Sequence, residues 1–88
     1  MQQLVSDIGR QAVAENVMIA TAESCTGGWI AQEITAVAGS SAWFDRGFVT
    51  YSNQSKHEML GVAEQTLEQY GAVSEPVVIE MAEGVLLH

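Results

Sequence analysis

The sequence predicts an α/β domain, on three observations. Apolar residues recur at helical spacing in five segments. Two short runs rich in β-branched and aromatic residues separate the first three of these segments. Glycine and serine punctuate the junctions. Read in order the pattern is α-β-α-β-α-α-α, an alternation that builds a parallel sheet with helices packed on it.

Each element follows from its own residues. Leu4, Ile8 and Ala12, with Val5 and Val13 beside them, form a helical stripe over residues 2–15. Val17-Met-Ile-Ala-Thr21 is a short apolar run with polar flanks and reads as a buried strand. Thr26-Gly-Gly28 leads into a helix from Trp29 to Val37, with Ile30, Ile34 and Val37 on one face, and Gly39-Ser-Ser41 ends it. From Trp43 to Tyr51 both alternating faces are apolar, Val49 and Tyr51 on one and Phe44 and Phe48 on the other. That is the pattern of a central strand.

Ser52 or Asn53 caps a helix carrying Lys56, Met59 and Leu60, and Gly61 stops it. Glu64 to Tyr70 is a second short helix, closed by Gly71. Ser74-Glu-Pro76 supplies an N-cap and an early proline to a last helix with Val77, Val78, Met81, Ala82, Val85 and Leu86 in register. Trp29, Trp43, Phe44, Phe48, Met18, Met59 and Met81 are expected in the core. The last helix runs to Leu86-Leu-His88 without a capping residue, and two strands make little sheet. The expectation is the front part of a larger domain.

Composition narrows the function classes. Eighty-eight residues, 48% of them hydrophobic, suit one small domain with a core and exclude a disordered chain. A net charge of −8 argues against a nucleic-acid partner, which needs a basic stripe. An anionic small molecule needs only a local pocket. No apolar run is long enough to span a bilayer, and no basic, apolar leader opens the chain. The one cysteine, Cys25, fits a reducing cytoplasm. No His, Cys and carboxylate spacing marks a metal site, and no cofactor fingerprint follows the first strand.

Chemistry-bearing residues concentrate in three stretches. These are Thr21-Ala-Glu-Ser-Cys-Thr-Gly-Gly28, Gly39-Ser-Ser41 and Tyr51-Ser-Asn-Gln-Ser-Lys56. Of the 3 lysines and arginines, Arg46 and Lys56 fall within or between them. The backbone of the first stretch, with Glu23, Ser24, Thr26, Gly27 and Gly28, sits where a strand gives way to a helix. N–H groups there can hold a phosphate or an oxyanion. A glycine turn that lets strand and helix pack closely explains the same residues.

These stretches, with Gly39-Ser-Ser-Ala-Trp-Phe44, Arg46-Gly-Phe-Val-Thr-Tyr-Ser-Asn53, Leu60-Gly-Val62, Gly71-Ala-Val-Ser-Glu-Pro76 and Met81-Ala82, resemble the C-terminal domain of the competence- and damage-inducible CinA proteins. The resemblance runs the length of the chain in order. It implies a layered α/β domain of which this chain is the N-terminal half. A later Ser-Gly-Ile-Ala-Gly-Pro-like loop and an arginine of that family have no counterpart here.

The resemblance also implies an amidohydrolase of pyridine-nucleotide salvage, converting nicotinamide mononucleotide to nicotinate mononucleotide and ammonia. Ser41, Tyr51 and Lys56 then fall on a Ser-Lys-Tyr catalytic arrangement, and the enzyme is expected as a homo-oligomer. The chemistry is coherent. An amide carbon is a poor electrophile, so a serine hydroxyl must lose its proton as it attacks. A lysine accepts that proton when desolvation favours the neutral amine. A tyrosine between them can relay a proton or protonate the leaving ammonia.

Plainer readings exist for the same residues. Ser41 is also a turn residue and Lys56 a solvated helix lysine; Arg46, a candidate to pair with a substrate phosphate, is more simply an ion-pair partner for Asp45 or a nearby glutamate. Cys25 with Glu23 and Lys56 has the residue types of a nitrilase-like amidase, but a small cysteine is usually a packing residue. A non-catalytic scaffold that self-associates is the remaining class. Tyr51 and Lys56 are one residue too far apart for the Tyr-x-x-x-Lys pair of short-chain dehydrogenases, which disfavours hydride transfer.

Overall fold

The computed structural model describes residues 1–88. In chain order it has α1 (Gln2–Glu15), β1 (Ile19–Ser24), α2 (Trp29–Thr35), a 3₁₀ turn (Ser40–Ala42), β2 (Phe44–Thr50), α3 (Asn53–Leu60), α4 (Glu64–Tyr70) and α5 (Glu75–Leu87). The α/β class and the element order are as the sequence predicts. β1 and β2 pair in parallel through the α2 crossover, with Ile19 opposite Phe44 and Ser24 opposite Thr50.

Two cores flank this sheet. Val5, Ala12, Ile34 and Trp43 form one, with Ile19, Val37 and Phe44 packed against it. Leu60, Val62, Leu67, Val77 and Met81 form the other, joined by Ala22, Phe48 and Val85. Phe44 and Phe48 therefore serve different cores, not one face. The cause is a bulge: Ile19 pairs with Phe44 but Ala20 with Arg46, so Asp45 is an extra residue that resets the alternation.

Other expectations shift for physical reasons. In α1 the buried residues are Val5, Gly9 and Ala12, while Leu4, Ile8 and Val13 are exposed. The packing stripe turns because Gly9 admits the Trp43 indole, which a β-carbon there would overlap. Asn16 closes α1 in the left-handed conformation, so Val17 and Met18 become connection and β1 begins at Ile19. β2 has only one strand neighbour and exposes Asp45, Arg46, Gly47 and Val49. Trp29, Met18 and Met59 are exposed rather than core.

The second half of the chain follows its caps. Ser52 accepts from Ser55 N at the start of α3, and Gly61 closes that helix in the left-handed conformation. Ser74 accepts from Val77 N at the start of α5. α4 begins without a cap of its own, and Glu80 of α5 supplies one, accepting from Ala63 N at 2.9 Å and Thr66 Oγ1 at 2.6 Å. On α5 the inward face is Val77, Met81 and Gly84, whereas Val78 and Leu86 point to solvent.

Candidate functional site

In an open parallel sheet, ligands bind beyond the carboxyl ends of the strands. At that end β1 passes into the Ser24–Gly28 loop and β2 passes through Tyr51 and Ser52 into α3. The two exits are tied together. Ser24 lies opposite Thr50, and the buried Thr50 hydroxyl donates to Glu23 O at 3.0 Å.

The loop is held by Glu23. Its carboxylate is 2% exposed and accepts from Thr26 Oγ1 at 2.7 Å, Ile30 N at 2.8 Å and Ala31 N at 2.9 Å. Burial alone raises this carboxyl; the Ala31 and Ile30 N–H groups and the Thr26 hydroxyl outweigh it and hold the pKa below the ordinary value. Trp29 N and Gln32 N donate to Thr26 O and Gly28 O. The first turn of α2 thus has its amides occupied, and its anion is Glu23. Glu23 and Thr26 clamp the loop to the helix.

Cys25, Gly27 and Gly28 all have positive φ, of 72°, 65° and 95°. Two glycines take that conformation without strain, whereas the exposed cysteine carries it at some cost. The Ser24 hydroxyl lies 3.7 Å from the Cys25 sulfur.

Lys56 is the most unusual side chain of the molecule. It is 2% exposed, forms no ion pair with a carboxylate, and donates from Nζ to Tyr51 O at 3.2 Å. Lysine is rarely buried without a charged partner. It is not a solvated helix lysine. Tyr51 contributes its carbonyl to this contact while its side chain is 80% exposed. Ser55, which the sequence reading passed over, fixes the turn: its hydroxyl accepts from Tyr51 N and donates to Ser52 O.

Ser41 lies elsewhere. It sits exposed on the 3₁₀ turn that precedes β2, and Ser40 beside it is buried. Tyr51 and Lys56 follow the other end of the same strand. One chain brings Tyr51 and Lys56 together with Ser24, and leaves Ser41 a strand's length away. Arg46 pairs with Asp45 at 2.6 Å on the surface, as the plainer reading expects.

A cleft of about 920 Å³ runs along the free edge of β1 and under α5. The Glu23–Thr26 loop and Arg46 line one part of it, and Val78, Met81, Val85 and Leu86 the other. It is mostly apolar. No helix is long and apolar enough to cross a membrane.

These features define a βαβ unit with a hydroxyl-bearing loop and a buried lysine at its carboxyl end. The model of the CinA C-terminal domain family matches residues 1–88, and the chain belongs to that family. It is 65% identical over 86 residues to a nicotinamide-nucleotide amidohydrolase PncC of Enterobacter agglomerans, and 60% identical over 86 residues to that of Escherichia coli K12. Each match covers 98% of this chain and 52% of the relative. A solved competence/damage-inducible protein, CihA of Agrobacterium tumefaciens, superposes with a TM-score of 0.93 at 49% identity, over 98% of this chain and 52% of that one. The chain spans about half the length of the curated relatives it matches.

Proposed function

We propose that this chain carries the base-bearing part of a nicotinamide-nucleotide amidase, acting on the carboxamide of nicotinamide mononucleotide. The observation that carries the reading is Lys56, buried at 2% exposure beside the carboxyl end of the sheet with only a main-chain acceptor. The names of the relatives supply the substrate class.

A serine Oγ attacks the carboxamide carbon as its proton passes to the Lys56 amine. The tetrahedral intermediate collapses, and the proton leaves with the amide nitrogen as ammonia. Water then cleaves the acyl ester to nicotinate mononucleotide and returns the serine proton. Ser41 is the nucleophile the family motif favours. Ser24 is a second reading, favoured by its position opposite Thr50 at the same end of the sheet as Lys56. The soluble cytoplasm is the expected compartment, and no cofactor is required by these steps.

Ammonia release from nicotinamide mononucleotide tests the proposal. Lys56→Met preserves bulk and burial and should lower the rate by about 100-fold or more, the scale of general-base loss. Ser41→Ala should do the same and Cys25→Ala should leave most of the rate. A cysteine variant that alone is inactive moves the reading to a thiol nucleophile. A wild-type rate in Lys56→Met removes the base, and a chain without turnover is the scaffold.

A further inference from the structure

We propose that Thr50 is a positioning residue of this site: its hydroxyl fixes where the Lys56 amine stands relative to the Ser24–Gly28 loop. The inference rests on the amidase reading and adds what holds its base in place. A base takes a proton only from within about 2.6–3.2 Å, so its placement matters as much as its basicity.

The two sides of the site leave the sheet on different strands. Lys56 Nζ donates to Tyr51 O, and Tyr51 directly follows Thr50. The hydroxyls of Ser52 and Ser55 bond only within that turn, to Ser55 N, Tyr51 N and Ser52 O, so they shape it without tying it to β1. The register of the sheet ends at the Ser24 and Thr50 pair. There the Thr50 hydroxyl crosses to Glu23 O at 3.0 Å. Glu23 is itself anchored through its carboxylate to Ile30 N, Ala31 N and the Thr26 hydroxyl. One path of bonds therefore runs from the first turn of α2 through Glu23, Thr50 and Tyr51 to the amine of Lys56.

Thr50 is 2% exposed. Strand propensity and burial at such a position are met equally by valine, which has no hydroxyl to desolvate. The hydroxyl is what threonine adds, and its bond falls at the end of the sheet that carries Lys56.

Thr50→Val keeps the branched shape and removes the bond. Loss of position, with the base retained, should lower kcat for ammonia release from nicotinamide mononucleotide by about 10-fold and leave KM within about twofold. Thr50→Ser retains a hydroxyl and should return most of the rate. Thr66→Val removes a comparable bond, from Thr66 Oγ1 to Glu80, on α4; it should lose stability and keep kcat. Lys56 is the only lysine of the chain, so the side-chain signal of labelled lysine in NMR reports on it alone. That signal should move in Thr50→Val and stay in place in Thr66→Val. A wild-type kcat in Thr50→Val, a Thr50→Ser chain as slow as Thr50→Val, or an equal loss of rate in Thr66→Val overturns the proposal. A full rate in Lys56→Met removes the amidase reading on its own. A lysine signal unmoved by Thr50→Val overturns the link itself, whatever the turnover.

Discussion

Glu23 and Lys56 are both buried ionisable residues at the carboxyl end of the sheet, yet their surroundings differ. Glu23 has three donors, so its contribution to stability is tied to its ionised form. Its pKa in the folded chain lies below the ordinary 4.5, so the stabilisation is complete above that value and is lost as pH falls through the folded pKa. Glu23→Gln should cost about 2 kcal/mol at pH 7, in the range for hydrogen bonds to a charged group. The gap between variant and wild type should narrow on acidification below 4.5, as read by urea unfolding across pH. A gap that stays constant with pH assigns the cost to packing. Lys56 donates to a single main-chain acceptor, so Lys56→Met, which keeps the bulk, removes the amine and one hydrogen bond. Sequence spacing placed Tyr51 and Lys56 at one turn because five residues across a helix start are local. It was silent on Glu23 as a cap, since its donors Ile30 and Ala31 lie seven and eight positions on.

Helix ends were the most legible elements, because caps are local chemistry. Ser52, Gly61, Ser74 and Pro76 fall where the sequence puts them, and α4 runs from Glu64 to Tyr70 as read. Strands were less legible. The extra residue at Asp45 is set by pairing with β1, and no local pattern announces it. Helix faces failed where glycine decides the packing. Gly84 is buried on α5, and a β-carbon there would overlap the Leu60 carbonyl oxygen at the end of α3. The apolar periodicity of α5 finds Val77 and Met81 but cannot find Gly84, which has no side chain to mark the face. Gly84→Ala sets two effects against each other. Helix propensity favours alanine by about 1 kcal/mol, while overpacking against backbone costs about 3 kcal/mol. The net loss should be about 2 kcal/mol in denaturant unfolding, with Glu83→Ala, one position earlier and exposed, close to neutral. A stabilised Gly84→Ala chain shows that α5 can move off α3 freely.

At the scale of the whole molecule the chain is open on one side. It exposes 5781 Å², against about 5000 Å² for a compact monomer of this size, and its radius of gyration is 13.9 Å, against about 12 Å. Part of this surface is the apolar cleft, where Val78 is 60% and Leu86 87% exposed. The expectation of a chain that is stable only with further contacts follows from this surface. Were copies to associate through the cleft, the unfolding midpoint would rise with protein concentration, by mass action. Val78→Lys with Leu86→Lys puts two charges on residues that are mostly exposed in the single chain, so the intrinsic stability should change by no more than about 0.5 kcal/mol. The doubly substituted chain should lose its larger species in light scattering and flatten the concentration dependence. A midpoint that keeps its concentration dependence in the doubly substituted chain would mean that the copies meet through a surface other than the cleft.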